Sequence, residues 1–418
     1  MNNLKDIIKR SIFVLYIICG IGEGFLHAQN DINLESLLSQ INADSLLRTV
    51  TDLQNFGSRY ALRNGGNQQV SEYLVRRLQN YGITTEVDIF HKSGDFWLTG
   101  AYDQTFYNVR GVLPAVNAID DSLVLIGAHL DAISYVVDYT EIIPLDNAPG
   151  ADDNASGVAV MIEIARICHE NGLCFHRDVH FMAFDGEELG LFGSCYDAQK
   201  RYDEGDKIAL MLNNDMVSYQ PDDNWRMMLH WYPNAQDIAS HAADICTQYT
   251  NITPVVPSVS ENINAQNSDS YAYYHSGFKA VFAMEYTISL SYHKDYDVAD
   301  SNNYAYLADV ARYNLAMLNE YAGLDNALGV ETHQTENQMS ISPNPVSDRA
   351  MVWCPIPENS TAVLTITDMT GHVLLQHKIF GQTGVHYEEM DLSGLPPGIY
   401  LCQLRTNVWT NTVKIVKL

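Results

Sequence analysis

The pattern of apolar and polar positions divides the chain into two parts. In the first part, apolar residues recur at helical spacing over 33–53 and 66–81, which predicts two helices. Apolar runs suited to strands then alternate with helical segments as far as a long amphipathic helix at 303–321. This alternation predicts a mostly parallel sheet covered by helices on both faces. The predicted strands span 122–127, 179–184, 208–212, 227–231 and 280–285, and two further predicted helices span 157–168 and 194–202.

The second part of the chain has a different pattern. Residues 325–340 are polar and show no periodicity, which is typical of a linker. Beyond them, short segments of alternating polarity are separated by turns such as 396–398, and this predicts a small antiparallel β-sandwich over 341–418. The predicted strands of the sandwich span 363–367, 373–379, 385–392, 399–404 and 412–418.

The amino-terminal segment has the character of a secretory signal. Lys5, Lys9 and Arg10 precede an apolar run at 12–19, and this run is too short to cross a bilayer. We therefore expect residues 1–28 to be removed and the protein to be secreted or held at the cell surface. No later stretch of the sequence predicts a membrane span.

The composition is that of a folded protein. Of the 418 residues, 46% are hydrophobic and 18% are charged, which suits two or three domains with buried cores. With 24 basic and 51 acidic residues, the net charge is -27, so phosphate backbones are repelled and no nucleic-acid partner is expected. Because five basic and six acidic residues follow position 340, nearly all of the net charge lies before the predicted sandwich.

The cysteines suit an exported protein. Six remain once Cys19 is removed with the signal, and an even number permits disulfides without fixing their pairing. Cys168 with Cys174 and Cys354 with Cys402 are the pairs to test first. Their spacing is unlike that of a zinc ribbon, so a thiolate metal site is not expected.

Five separated fragments each place a metal-capable side chain where a strand should end. In an open parallel sheet, ligands bind at the carboxyl ends of the strands, where residues far apart in sequence converge. The fragments are GAHLDA at 127–132, PGADDNASG at 149–157, FDGEELGLFGS at 184–194, NNDMV at 213–217 and SYHKDYD at 291–297.

These fragments contain the ligands for two metal ions. Zinc binds imidazole and carboxylate groups, and two zinc ions about 3.5–4 Å apart need a carboxylate between them to offset their repulsion. Asp153 is placed to bridge the pair. His129 and Asp215 would then complete one zinc site, and Glu188 and His293 would complete the other.

Glu187 is not needed as a ligand for either zinc ion, so it is free for another role. A carboxylate beside the metals but not bound to them can take the proton of the attacking water and later transfer it to a leaving amine. Asp131, two residues after His129, is positioned to accept the second N–H of the imidazole. Taken singly, Glu187 with Glu188 would be an ordinary solvated turn, but the occurrence of five such fragments in order favours a catalytic site.

At these residues the chain resembles the co-catalytic zinc aminopeptidases, a family that includes bacterial leucyl aminopeptidases and shares its fold with glutamate carboxypeptidases and the transferrin receptor. The resemblance implies a three-layer α/β/α domain over 29–324 with a mixed, mostly parallel sheet of about eight strands. It also implies two zinc ions per chain, peptide substrates, a water activated by Glu187, and a cis peptide bond between Asp153 and Asn154.

Two departures from the family pattern concern the substrate side of the site. Ser270 follows Ser268 and Asp269 where the family usually has histidine, and Lys294 replaces a small hydroxyl residue after His293. Three alternatives therefore stay open. They are a glutaminyl cyclase with one zinc, a carboxypeptidase on the same two-zinc core, and a metal-free binding protein.

The carboxyl-terminal part resembles the sorting domain of the type IX secretion system of Gram-negative bacteria. This resemblance implies export through the periplasm and the type IX machinery as a partner. A carbohydrate-binding module using Trp353, Tyr400 and Trp409 is the alternative, but those aromatic residues also suit a sandwich core. The matching segments are SPNPVSD from Ser342, DMTG from Asp368, LPPGIY from Leu395 and the terminal KIVKL.

Overall fold

The computed structural model describes most of the chain but not all of it. The predicted signal at 1–28, most of the predicted linker and Trp409 lie outside the described residues, as do the side chains of Trp353 and Cys354, so these expectations stay predictions. The described residues are 33–63, 65–138, 141–325, 339–342, 344, 346, 348–354, 361–368, 371–380, 386–406 and 410–417.

An eight-stranded mixed sheet forms the centre of the first part. The strands of this part are β1 (Thr84–Phe96), β2 (Gly100–Leu113), β3 (Ser122–His129), β4 (Tyr135–Asp138), β5 (Glu141–Pro144), β6 (Asp178–Phe184), β7 (Lys207–Asn214), β8 (Arg226–Trp231), β9 (Thr253–Val255) and β10 (Ala280–Glu285). The sheet order is β1-β2-β6-β3-β7-β10-β8-β9, and β4 pairs with β5 in a separate hairpin. Its centre, from β6 through β3 and β7 to β10, is parallel, whereas the pairs β1–β2, β2–β6 and β8–β10 are antiparallel. The mixed, mostly parallel sheet is confirmed.

Helices cover both faces of this sheet. Alternate residues of a strand point to opposite faces. The helices are α1 (Leu34–Leu38), α2 (Ala43–Gln54), α3 (Gln68–Asn80), α4 (Ala155–Glu170), α5 (Phe192–Glu204), α6 (Gln236–Tyr249), α7 (Ser270–His275) and α8 (Tyr304–Leu318). Val124 and Ile126 of β3 enter a large core with α2, α4 and α8, whereas Leu123 and Leu125 enter a smaller core with α5 and α7. The three-layer arrangement is therefore confirmed.

The first predicted helix is two helices, α1 and α2. The break occurs because the Asn42 side chain accepts hydrogen bonds from the backbone amides of Asp44 and Ser45, which starts a new helix. Across the described part of the chain, no helix has both the length and the apolar character needed to cross a bilayer.

Two antiparallel sheets make up the second part. The strands are β11 (Ser340–Ser342), β12 (Arg349–Cys354), β13 (Thr361–Asp368), β14 (Val373–Phe380), β15 (His386–Asp391), β16 (Gly398–Arg405) and β17 (Thr410–Lys417). The sheet orders are β11-β12-β15 and β14-β13-β16-β17. One hydrophobic cluster includes Ile341 and Val352 from the first sheet and Leu364 and Cys402 from the second, as a sandwich requires. Tyr400 is buried in the same core, and its hydroxyl donates to the Pro396 carbonyl.

Cys168 and Cys174, the first pair to test for a disulfide, are not bridged. Both residues carry free thiols. Cys168 lies inside α4 and is buried in the main core, whereas the Cys174 thiol is half-buried and lies 3.7 Å from the Gly172 carbonyl oxygen. The pairing of Cys354 with Cys402 stays a prediction.

Candidate functional site

The predicted ligands meet at the carboxyl end of the parallel strands. His129 is the last residue of β3, and Asp215 directly follows β7. Glu187 and Glu188 lie in a short turn after β6, and His293 lies in the loop after β10. Consecutive parallel strands end at the same edge of a sheet, which is why the five fragments converge.

Asp153 reaches the same place from the amino end of α4. The peptide bond between Asp153 and Asn154 is cis, as the family resemblance implied. Gly157, in the first turn of α4, lets the helix approach β7 closely. A Cβ atom at Gly157 would lie 2.4 Å from the Asn214 carbonyl oxygen, so any larger residue would push the helix away.

His129, Asp153 and Asp215 form the first metal-capable group. The Nε2 atom of His129 lies 3.2 Å from Asp153 Oδ1 and 3.2 Å from Asp215 Oδ1. All three side chains are buried. One imidazole and two carboxylates at this separation are a donor set that suits zinc.

Asp153, Glu188 and His293 form the second metal-capable group. His293 Nε2 lies 3.2 Å from Asp153 Oδ2 and 3.0 Å from Glu188 Oε2. Asp153 therefore presents one carboxylate oxygen to each group. The structure brings together all five residues predicted to bind metal, in the two sets that the sequence suggested.

Buried polar atoms without partners support metal binding by the second group. Glu188 Oε1 and His293 Nδ1 are buried, yet they have no hydrogen-bond partner among the described residues, and His293 Nε2 lies close to two carboxylates without being aligned to donate to either. Buried polar atoms nearly always have a partner, so such a cluster is expected where an ion binds. The residues present fit zinc in number, type and spacing.

Glu187 lines the same cavity but belongs to neither group. Its carboxyl group is buried, and burial raises the pKa of Glu187 above its ordinary value, while the nearby charge of His129 opposes the increase. A buried carboxyl group beside a metal centre but outside the donor sets is placed to exchange protons there.

The contacts of Asp131 differ in detail from those expected from the sequence. The imidazole of His129 lies nearer to the backbone carbonyl of Asp131, with 3.2 Å between Nδ1 and the carbonyl oxygen, than to its carboxylate, at 3.6 Å. The carboxylate instead accepts hydrogen bonds from the backbone amides of Glu187 and Glu188, at 3.1 and 3.2 Å. Asp131 therefore supports the Glu187–Glu188 turn as well as the histidine.

Other residues fix the ligands in ways that the sequence did not reveal. The Ser268 hydroxyl donates to Asp215 Oδ2 at 2.6 Å, which leaves Oδ1 facing His129. Asp297 accepts the backbone amides of Asp152 and Asp153. Ser268 and Asp297 both lie in segments whose sequence resembles the family pattern, but these contacts leave no signal in that sequence.

Arg59 is buried behind the site. Its guanidinium donates to the carbonyl oxygens of Leu130 and Gly150, at 2.8 and 2.7 Å from Nε and Nη2, and also to that of Pro149. These carbonyls lie in the two loops that carry His129 and Asp153. No sequence motif marked Arg59.

The cavity holds about 230 Å³, and both polar and apolar side chains line it. The polar ones are the six side chains predicted to bind metal or move protons, together with Asn264 and Asn267. Among the described residues that line it, none is lysine or arginine. The apolar lining consists of Met216, Phe282, Met284, Ile288 and Tyr292.

Known proteins resemble the chain in sequence, and two of them are a fungal aminopeptidase and a fungal metalloprotease. The chain is 26% identical over 304 residues to a probable leucine aminopeptidase from Arthroderma otae, a match that spans 70% of this chain and 76% of the relative. It is 31% identical over 209 residues to a probable zinc metalloprotease from Pyrenophora teres f. teres, a match that spans 47% of this chain and 43% of that relative.

A solved structure supports the fold. The aminopeptidase LapA from Legionella pneumophila superposes with a TM-score of 0.55 at 22% identity, covering 69% of this chain and 74% of LapA.

Family profiles match both parts of the chain. Residues 340–418 match the secretion system C-terminal sorting domain, which indicates an exported or cell-surface protein. Residues 108–318, which hold every predicted metal ligand, match the profile of peptidase family M28. With a sheet, a cavity and a donor set that suit such an enzyme, the chain belongs to peptidase family M28.

Proposed function

We propose that the protein is an exported aminopeptidase that uses two zinc ions to hydrolyse the first peptide bond of its substrates. The observation that carries this proposal is the arrangement of three acidic residues in one cavity. Asp153 faces both metal-capable groups, Glu188 belongs to one of them, and Glu187 lines the cavity outside both. A hydrolase that uses two zinc ions combines a shared ligand of this kind with a free acid.

The chain would hold one zinc ion through His129, Asp153 and Asp215, and the other through Asp153, Glu188 and His293. Zinc, when bound, supplies positive charge that polarises the scissile carbonyl and lowers the pKa of water. Two ions are proposed because each group contains three donors, and a single ion would leave buried donors of the other group without a partner.

Glu187 is proposed as the group that transfers protons. Its carboxylate takes a proton from the water that attacks the carbonyl carbon and then gives this proton to the amine nitrogen as the C–N bond breaks. The products are a free amino acid and a peptide shortened by one residue. Asp131 holds Glu187 in place because its carboxylate accepts a hydrogen bond from the backbone amide of Glu187.

The charge of the cavity favours an amino terminus over a carboxyl terminus as the bound end. Its described lining includes no lysine or arginine that could pair with a substrate carboxylate. The other acidic residues of the lining would be neutralised by the zinc ions, whereas Glu187, which belongs to neither metal-capable group, would keep its charge and attract a substrate ammonium group. This supports an aminopeptidase over a carboxypeptidase.

The apolar lining of the cavity suits a large aliphatic or aromatic first residue. Met216, Phe282 and Met284 pack together in one hydrophobic cluster and line the cavity. Burial of a leucine or phenylalanine side chain against such a wall contributes about 1.5–3 kcal/mol. We propose substrates that begin with leucine or a similar residue, as the name of the Arthroderma otae relative also suggests.

The organisation of the chain is part of the proposal. Residues 1–28 would direct export and be removed, 29–324 would form the peptidase domain, and 325–340 would link it to a sorting domain at 341–418. The type IX secretion machinery would recognise the sorting domain, as the match of 340–418 to a secretion sorting domain supports.

The test compares Glu187→Gln with the unchanged protein and with Glu204→Gln, which changes an exposed glutamate at the end of α5. Leucine released from a peptide with a free amino terminus is measured, with an N-acetylated peptide as the substrate control. We expect Glu187→Gln to keep two zinc ions by elemental analysis and to lose about 100- to 10,000-fold in kcat. Glu204→Gln should keep full activity.

Several outcomes would contradict the proposal. Unchanged turnover in Glu187→Gln would remove Glu187 as the proton-transfer group. Release of the last residue instead of the first would identify a carboxypeptidase. Pyroglutamate formed from a peptide that begins with glutamine, without a released amino acid, would identify a glutaminyl cyclase. Purified protein with no tightly bound zinc would favour a binding protein.

A further inference from the structure

An exposed tryptophan lies close to the metal-capable site. Trp97 is in the turn between β1 and β2, and 59% of its surface is exposed. Its ring contacts Phe96 on one side and meets Tyr135 edge-on, with 5.4 Å between ring centroids and an angle of 87°. A large aromatic side chain held by its neighbours but open to water is typical of a binding surface.

The turn that carries Trp97 is fixed beside the second metal-capable group. The hydroxyl groups of Tyr60 and Thr99 lie 2.6 Å apart and are hydrogen-bonded. Phe96 and Leu98 share a hydrophobic cluster with Leu189, the residue that follows Glu188. The turn between β1 and β2 is therefore packed against the turn that carries Glu188.

Tyr135 connects Trp97 to His293. Its backbone amide donates to the His293 carbonyl oxygen at 3.0 Å, and the two ring centroids are 5.5 Å apart. Lys294, the residue by which this segment departs from the family pattern, donates to the Tyr135 carbonyl oxygen at 3.1 Å, and its ammonium lies 5.1 Å from the centre of the Tyr135 ring. The rings of His293, Tyr135 and Trp97 thus form a continuous aromatic surface from the cavity to solvent.

We infer that Tyr135 and Trp97 bind the residue that follows the scissile bond and select aromatic or large aliphatic side chains there. This inference rests on the proposed function. The first residue of a substrate enters the cavity, so the rest of the peptide must leave it, and the contact of the cavity-lining His293 with the partly exposed Tyr135 marks a path outward. An extended peptide advances about 3.3–3.6 Å per residue, so the residue that follows the scissile bond is within side-chain reach of the Tyr135 ring, 5.5 Å from the His293 ring, and of the Trp97 ring next to it.

The chemistry of the surface favours an apolar occupant. An aromatic pair gains stabilisation beyond simple burial when the rings meet edge-on or offset, and aliphatic side chains also pack against an indole face. Lys294, whose ammonium lies beside the Tyr135 ring, is already bound to the Tyr135 carbonyl. An acidic residue in this position would lose hydration against the rings without gaining a compensating contact from them.

The test measures kcat/KM for the peptides Leu-Phe-Ala, Leu-Leu-Ala and Leu-Gly-Ala from the leucine released. We expect the unchanged protein to prefer phenylalanine over glycine by roughly tenfold. Trp97→Ala should reduce this ratio to below about twofold, and Trp97→Phe should restore part of it. Ile119→Ala is the matched control, since Ile119 is also 59% exposed but precedes the amino end of β3, so it should leave the ratio unchanged.

The outcomes separate this inference from the proposed function. If the unchanged protein releases leucine from all three peptides but Trp97→Ala keeps the original ratio, the inference is refuted and the proposed function stands. The inference is also refuted if Ile119→Ala lowers the ratio as much as Trp97→Ala does. If no peptide yields leucine, the proposed function fails, and the inference fails with it.

Discussion

Asp131 is a buried carboxylate that supports the Glu187–Glu188 turn, so its replacement should reduce both stability and activity. Only 1% of Asp131 is exposed, and its two oxygens accept the amides of Glu187 and Glu188 separately. A hydrogen bond to a charged group contributes about 1.5–3 kcal/mol. Asp131→Asn keeps one acceptor oxygen, so it should lower the free energy of unfolding by about 1.5–3 kcal/mol, and Asp131→Ala, which loses both, by about 3–6 kcal/mol.

The loss of activity follows from the position of the same two amides. One belongs to the proposed proton-transfer group, Glu187, and the other to a proposed zinc ligand, Glu188. Replacing a residue that orients a metal ligand typically reduces metal affinity or activity by about 10- to 100-fold. We expect Asp131→Asn to show a decrease of this size in kcat/KM for leucine release, together with a lower zinc content under competition with a chelator.

Asp309→Asn is the matched control for this prediction. Asp309 is also 1% exposed and accepts the Asn251 backbone amide at 2.8 Å, but it lies on α8 and does not line the cavity. Chemical denaturation should show a comparable loss of stability for Asp309→Asn, with kcat/KM close to that of the unchanged protein. Full activity in Asp131→Asn, or an equal loss of activity in both variants, would refute the reasoning.

Three further results are expected. Chelation should abolish leucine release and lower Tm, because a ligand that binds the folded state stabilises it. Added zinc should restore both, and a Tm that the chelator leaves unchanged would argue against the metal site. Ser268→Ala removes the hydrogen bond that orients Asp215, so a chelator should remove zinc about 10- to 100-fold more readily than from the unchanged protein. Burial, together with the charge of Arg201, lowers the pKa of His180 from 6.5 to about 3, so below pH 6.5 the unfolded chain binds a proton that the folded chain does not. Stability should therefore fall by up to about 1.4 kcal/mol per pH unit between pH 6.5 and 3, and urea denaturation of His180→Asn at pH 7 and pH 5 should show a smaller decrease.

The central strands could be predicted because burial leaves a clear signal in their sequences. β10 was predicted at its observed bounds, and all six of its residues are buried. A parallel strand covered on both faces is a continuous apolar run, which few other structures produce. β3, β6 and β7 were found for the same reason, with ends that differ by one or two residues.

The hairpin of β1 and β2 was missed because it lacks that signal. β1 is 13 residues long, yet only Phe90 and Phe96 are buried. It lies at the edge of the sheet, where one side has no neighbouring strand and polar residues are tolerated on both faces. The helix α6 is a different case, because its buried residues Ile238, Ala242 and Ile245 do recur at helical spacing and could have been recognised.

The predicted site residues and those that support them differ in what they contact. His129, Asp153 and Glu188 carry side chains that suit metal chemistry, so their types and spacing alone indicate a metal site. Arg59 acts on backbone carbonyl groups, which every residue possesses, so the sequence around Leu130 and Gly150 contains no trace of the contact. A buried arginine is costly unless its donors are satisfied, which makes such a residue recognisable from its surroundings in the fold. The chemistry of this site was therefore accessible from sequence, whereas the contacts that hold its loops in position depend on the three-dimensional path of the backbone.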